Sequence, residues 1–268
     1  MTFTRWTPCV LLLSAAALRL PAQEPPSHLD CNHVMMVVAG LTSTCEIRES
    51  TLDAIGSLGV TTSNGGVSVY TWDSPQVLVR SLILAAAPSE SQALAVASGV
   101  QVVLSPGTVG VSGPHSSFRQ SWSATLEIYV PAATELRVTT TNGGVTIQDV
   151  AGAITVGTLN GAIAIRNAPG NVTVSAVNGA VSVSAAAPWN GQTISAKTVN
   201  GSVTLALPPD CSAHVDLSTV NGHLSSTFPG VVWTISGRRD SVSFNLGAGG
   251  PAVSAATVNG SVTLQPAD

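Results

Sequence analysis

The chain has 268 residues, of which 44% are apolar but only 9% charged and 4% aromatic, with a formal net charge of −4. Lys197 is its one lysine, so no basic surface is available to neutralise phosphates, and nucleic-acid binding is not expected. A surface this poor in charge has to be covered with Ser, Thr, Ala, Asn and Gly, and the length suits one domain with a small N-terminal appendage.

Residues 1–23 read as an export signal. Arg5 precedes an apolar run from Val10 to Leu18, and Leu20-Pro21-Ala22-Gln23 offers a small residue at a cleavage point. The run is too short to span a bilayer, and no later stretch approaches the roughly 18 apolar residues of a membrane helix. The chain is therefore expected to be exported: periplasmic, cell-surface or extracellular.

Residues 24–57 are expected to form an N-terminal segment and cap. Within them Cys31 and Cys45 close a loop of about 15 residues, and a disulfide there would add about 3 kcal/mol by the chain-entropy estimate. Cys211 is left over, as a small buried side chain. A metal site on Cys31, His33 and Cys45 lacks the paired ligand spacing of zinc.

From residue 58 to 268 one short phrase recurs. It reads L-G-V-T-T-S-N-G-G-V-S-V from Leu58 and L-R-V-T-T-T-N-G-G-V-T-I from Leu136, with further copies at Ile154, Val172, Ile194, Val215 and Val253. Counted from the Asn, positions −6, −4 and +3 are apolar in every copy, +5 in all but Ser226, and −2 is Thr in all but Ala176. Apolar residues at alternate positions, rich in Val and Ile, give a strand with one buried face on either side of the Asn-Gly pair. The turns fall at Asn64-Gly65, Asn142-Gly143, Asn160-Gly161, Asn178-Gly179, Asn200-Gly201, Asn221-Gly222 and Asn259-Gly260.

Two architectures share this pattern. Asn-Gly is the strongest short-range hairpin signal, because a type I′ turn needs positive φ at both central residues. In a β-solenoid the same pair turns a corner of each coil, and equivalent residues of successive coils stack. Successive Asn residues from 142 lie 18, 18, 22, 21 and 38 apart, the last as two steps of 19, and Asn64 lies 78 before Asn142, close to four steps. A period near 20 favours the solenoid, since a coil wound on itself encloses the apolar face that a meander would leave bare.

Between the first two copies the rhythm breaks. Strands are expected at Val77–Ala86, Val100–Leu104, Thr108–Val111 and Trp122–Val130, with one short capping helix near 89–98, where Ser89 caps and Gln92 follows three residues on. After Phe228-Pro229-Gly230, a strand is expected at Val231–Ile235, a polar turn at Gly237-Arg238-Arg239-Asp240, and a rung without its Asn at Ser241–Leu246. The closing Pro266 and Asp268 would protect the last edge.

No nucleophile elbow, zincin, paired-cysteine or phosphate-loop motif occurs. His214 and His223 read as outward residues of neighbouring rungs. Asp149, Asp210, Asp216 and Asp240 are dispersed, unlike the clustered carboxylates of polysaccharide-processing β-helix enzymes, which are the alternative function. No catalytic residue, metal or cofactor is expected. Trp72 and Trp189 are candidates for stacking on a ligand, set against the plainer role of closing the ends of a thin core.

Several strings together resemble a known family: Cys45-Glu46-Ile47-Arg48-Glu49, the Asn64-Gly65-Gly66-Val67-Ser68-Val69 rung followed by Trp72-Asp73, Trp189-Asn190-Gly191 before Thr198-Val199-Asn200-Gly201, and Leu246-Gly247 with Gly249-Gly250. They are similar to the bacterial putative-adhesin β-strand repeat family of exported proteins, over roughly Cys45 to Leu264. The resemblance implies a right-handed, parallel β-helix-like fold and a cell-envelope location, and brings no catalytic residues. The expectation is an all-β solenoid with rungs of about 20 residues. It would serve as a non-catalytic, adhesin-like binding or structural module whose partner is an envelope protein or polysaccharide.

Overall fold

In the computed structural model, residues 24–32 and 40–267 are described. The expected export signal at 1–23, His33 and Asp268 lie outside them. Among the described residues no helix is long and apolar enough to cross a membrane.

Among the described residues the architecture is all-β with one helix. In chain order the elements are β1 (Thr42–Asp53), β2 (Ser57–Asn64), β3 (Val67–Thr71), β4 (Gln76–Ala87), α1 (Glu90–Gly99), β5 (Gln101–Ser105), β6 (Thr108–Ser112) and β7 (Ser121–Val130). Four repeat copies follow as strand pairs: β8 (Glu135–Asn142) with β9 (Val145–Gln148), β10 (Ile154–Asn160) with β11 (Ile163–Ala168), β12 (Val172–Asn178) with β13 (Val181–Ala185), and β14 (Ile194–Asn200) with β15 (Val203–Leu207). The chain ends with β16 (Ala213–Phe228), β17 (Val231–Leu246), β18 (Ala252–Asn259) and β19 (Val262–Pro266).

Parallel pairing between neighbouring copies decides between the two architectures. β10 lies parallel to β8 and β12 with Asn160 level with Asn142 and Asn178, while β11 lies parallel to β9 and β13 with Ile163 level with Val145 and Val181. Each copy is thus a coil of two arms, joined at the Asn-Gly corner and hydrogen-bonded to the copies above and below. The hairpin alternative also fails on dihedral grounds: among the described residues the only non-glycine residues with positive φ are Asp149 and Asn167, so none of the corner asparagines adopts a type I′ conformation.

The alternation seen in the sequence is the alternation of burial. In the copy at Asn160, Ile154, Val156, Thr158, Ile163 and Ile165 are buried and the residues between them face outward. The inward side chains of every copy form one continuous cluster from Leu58 to Leu264. A single coil cannot recover its backbone ordering entropy from so few aliphatic side chains, so the stack is the smallest stable unit.

The Thr at −2 has its own reason. In the last three levels of the stack its buried hydroxyl donates to the corner glycine carbonyl of the neighbouring coil, from Thr198 to Gly179 (2.8 Å), Thr257 to Gly201 (2.7 Å) and Thr219 to Gly260 (2.9 Å). The hydroxyls of Thr62 and Thr140, by contrast, have no hydrogen-bond partner among the described residues. The corner glycine is required by close approach. A Cβ on Gly179 would sit 2.0 Å from the carbonyl oxygen of Gly161, and one on Gly161 would sit 2.1 Å from that of Gly143.

Four expectations are corrected by the topology. The segment between Asn64 and Asn142 does not hold four coils: β2 and β3 lie directly against β8 and β9, with Asn64 level with Asn142, and on their other side only β6 and β7 continue the stack, parallel to β2 and β3. The rest of the insertion folds back at this end of the stack as an antiparallel inserted layer, β4 against β7 and β1 against β4. Near the other end, β17 is one strand that passes straight through the expected polar turn and runs antiparallel to β16, with Gly237 opposite Gly222. Ser241–Leu246 therefore supplies no coil of its own. Finally, β18 and β19 insert between β14/β15 and β16, so the stacking order of the last copies is Asn200, Asn259, Asn221. The C-terminal copy is interior, and β16 with β17 forms the end of the stack.

α1 forms close to where the sequence places it. Ser89 caps it, accepting from the Gln92 backbone N–H, and Ala93, Val96 and Ala97 are buried with Ile83, Ala85 and Trp122 in a satellite core. Arg48 on β1 holds the other end, donating to the carbonyls of Ala97 (3.0 Å) and Val100 (2.6 Å). Cys31 and Cys45 are joined by a disulfide that fastens the N-terminal segment to β1.

Candidate binding surfaces

The corner asparagines form an amide ladder. Each donates its side-chain N–H to the side-chain carbonyl of the next, in one direction throughout: Asn142 to Asn64 (3.1 Å), Asn160 to Asn142 (2.9 Å), Asn178 to Asn160 (2.9 Å), Asn200 to Asn178 (2.8 Å), Asn259 to Asn200 (2.7 Å) and Asn221 to Asn259 (2.9 Å). This ladder, with the close approach of the glycines beside it, explains the Asn-Gly pair at each corner.

Immediately beside it runs a row that the sequence pattern did not single out. Position −1 is Leu159, Val177, Val199, Val258 and Val220 in stacking order, and all five are exposed, Leu159 by 45% and Val199 by 40%. At a strand spacing of about 4.8 Å the row is about 19 Å long. The signal was present, since −1 is aliphatic in these five copies and Ser63 or Thr141 in the first two. It went unread because −1 lies on the outward face, where no core is sought. Most of the remaining outward positions are small, Ser and Thr predominating, with Arg137, Lys197 and Asp216 among the charged exceptions and contacts between coils such as Ser254 to Ser195 (3.3 Å) and Ser225 with Thr263 (3.1 Å).

A second surface lies on the inserted layer, where β4 and β7 carry a charged and aromatic cluster. Arg80 and Glu127 are 6% and 1% exposed, 3.7 Å apart between Nη1 and Oε2. Arg80 also donates from Nε to Glu49 on β1 (2.5 Å). Burial works against the Arg80 charge, but Glu49 and Glu127 more than offset it and hold its pKa above the ordinary value. Tyr129 lies under the guanidinium, 5.7 Å from ring centroid to Cζ, with Tyr70 at 5.5 Å and Trp72 at 6.4 Å between ring centroids. Burial, and then the Glu127 charge, push the Tyr129 hydroxyl up to about 12.

The N-terminal segment Glu24–Asn32 lies across this cluster. Glu127 accepts from the His28 backbone N–H (2.9 Å) and from Ser27 Oγ (3.3 Å), and its Oε1 is 2.7 Å from His28 Nδ1. Arg80 donates to the Pro25 carbonyl (2.8 Å) and Tyr129 to the Pro26 carbonyl (2.9 Å). Of the two candidate stacking tryptophans, Trp72 belongs to this cluster and donates its indole N–H to the Gln76 carbonyl (2.7 Å). Trp189 lies elsewhere, half-buried against the core of the stack and donating to the Ser212 carbonyl (3.0 Å).

On β16 and β17 the structure groups residues that the sequence left apart. His214 Nδ1 is 2.7 Å from Asn245 Oδ1, its Nε2 is 3.2 Å from Ser243 Oγ, and Asp216 Oδ2 is 3.6 Å from that same Nε2. The hydroxyl–imidazole–amide order resembles a hydrolytic triad, but the group stands on an open strand face, and Asp216 competes with Ser243 for the ring nitrogen. Asp149 meets Asn167 of the next coil across a side-chain hydrogen bond, and no cluster of three or more metal-ligating side chains occurs among the described residues. A shallow cavity of ≈ 540 Å³ lies between α1 and the loop before β7, lined by Pro88, Gln92, Val96, Pro114 and Arg119.

No curated protein matches the chain at a significant level. Among solved structures, a putative cell adhesion protein from Clostridium sporogenes aligns with a TM-score of 0.51 at 11% identity, covering 84% of this chain and 100% of that one. A putative adhesin from Bacteroides fragilis aligns at 0.33 and 12% identity, covering 84% and 97%. A putative lipid binding protein from Parabacteroides distasonis aligns at 0.31 and 9%, covering 82% and 96%. The first of these shows a shared fold. The family model described as Toastrack DUF4097 matches residues 33–265, and the chain belongs to that family.

Proposed function

We propose that the protein is an exported, non-catalytic, adhesin-like binding or structural module of the bacterial cell envelope, and that it meets its partner with the outer corner of the stack. The observation that carries this reading is the exposed row Leu159, Val177, Val199, Val258 and Val220 beside the asparagine ladder. Aligned aliphatic side chains on a hydroxylated surface cost solubility and add nothing to the core, so their repetition speaks for contact with another molecule. The partner is an envelope protein or a polysaccharide, met across the row and the flanking Ser/Thr face. Export is supported by the signal-like residues 1–23 and by the Cys31–Cys45 disulfide, a bond that persists in oxidising compartments. The name of the Clostridium protein that shares the fold points the same way. We read the coil as right-handed with rungs of about 20 residues, because parallel strands joined by a crossover take that hand in nearly all proteins.

The test is retention of the purified protein by isolated envelope fractions and by their polysaccharide and protein components separately. Replacing Val177, Val199 and Val258 together with Ser should abolish retention while changing stability by no more than about 0.5 kcal/mol per site, as exposed substitutions do. Retention equal to that of the unmodified chain would remove the corner from consideration.

A further inference from the structure

The segment Glu24–Leu29 is held in an unusual way for an integral part of a core. It contributes no side chain to either hydrophobic cluster, and the His28 side chain is 62% exposed, whereas the residues that grip it are buried. The grip is on the main chain. Two successive proline carbonyls are read by Arg80 and Tyr129, and the His28 amide two residues on is read by Glu127. The prolines suit this reading, since they hold an extended backbone in advance and leave the carbonyls as the polar groups of Pro25 and Pro26. The bed beneath is lined by Tyr70 and Tyr129, with the His28 ring 5.4 Å from Tyr70. Donors aimed at carbonyls, an acceptor aimed at an amide, and aromatic rings under a proline-containing segment are the elements by which domains bind extended peptides in trans.

We propose that Arg80, Glu127, Tyr129 and Tyr70 form a binding site for extended, proline-containing peptide segments, and that the chain's own Glu24–Leu29 occupies it as an intramolecular ligand. The site is distinct from the outer corner and does not depend on its function. The disulfide between Cys31 and Cys45 keeps the internal ligand close to its site, so its effective concentration is high and a competing segment must displace it. With the internal segment gone, Glu127 loses the Ser27 hydroxyl and the His28 amide and keeps its contacts with Arg80 and Tyr129, which favours refilling by any segment offering an amide in the same place.

The test uses the chain lacking residues 24–29 and a synthetic peptide of that sequence, with binding followed by titration calorimetry and the fold by circular dichroism. The peptide should bind the shortened chain with 1:1 stoichiometry and should not bind the full-length chain. Tyr129→Phe in the shortened chain should weaken binding about fivefold, the value of one neutral hydrogen bond. A peptide with both prolines replaced by glycine should bind about tenfold more weakly, through the added cost of ordering it. If the shortened chain does not fold, the full-length C31S/C45S protein serves instead: excess peptide should then deprotect the His28 amide to hydrogen exchange, and a scrambled peptide should not. The proposal is overturned by a folded shortened chain that does not bind the peptide, by binding indifferent to Tyr129→Phe, or by peptide that leaves the His28 amide protected in the untethered protein.

Discussion

The coils from Asn142 to Asn200 and the inserted layer of β1, β4 and β7 are both β-structure, yet they are stabilised on different principles. In the coils most positions have one role repeated at every level: aliphatic residues at −6, −4, +3 and +5 and an amide ladder at 0, with Thr198 adding a hydroxyl bond to a glycine carbonyl at −2. In the inserted layer roles are singular, and buried polar chemistry is concentrated around one guanidinium and one carboxylate. Repetition produces a rigid, uniform surface, while the irregular layer carries what repetition cannot supply, a site with a specific shape and charge.

The sharpest way to break the regular half is at its corners. Gly179→Ala places a methyl group 2.0 Å from the Gly161 carbonyl oxygen, part of the backbone of the neighbouring coil, and should cost about 4 kcal/mol in urea unfolding. Gly230→Ala, in the open turn between β16 and β17, meets nothing within 4 Å and suffers only its positive φ of 79°, so it should cost about 1 kcal/mol.

In the irregular half the corresponding test is alkaline. The folded protein holds the Tyr129 proton more tightly than the unfolded chain, with the pKa raised from 10.0 to about 12. Its contribution to stability is therefore complete below pH 10 and is lost as pH rises from 10 to about 12. Absorbance titration should show a tyrosine step near pH 12, and Tyr129→Phe should remove that step and flatten the alkaline decline. The smallest effect is expected at the ladder itself. Asn178→Ala removes two exposed amide–amide hydrogen bonds and should cost about 0.5 kcal/mol, measured by the same urea titration.

The two halves were unequally legible in the sequence. Burial at alternate positions, the corners, α1 with its Ser89 cap and the strands of the insertion could all be read, because each rests on local period or local capping. Which copies are neighbours could not. Asn64 and Asn142 are adjacent across 78 positions, and only pairing shows that β6 and β7 stack beyond Asn64 and not between the two. The cluster around Glu127 was invisible for a related reason: its donors, Ser27 and His28, are about a hundred positions away, and no periodicity links them. His214 and Asp216 were closer to reach, being two apart on one strand and therefore on one face.

The interior placement of the last copy has a consequence for how the molecule is made. Residues 198–205 and 257–264 are the same eight letters, T-V-N-G-S-V-T-L, and they end up side by side. A chain emerging from its N-terminus presents β16 to the exposed edge of β14 and β15 well before the segment that belongs there has been synthesised. Completion of the fold then requires that edge to be kept vacant, or surrendered, until the final dozen or so residues arrive and wedge themselves into place.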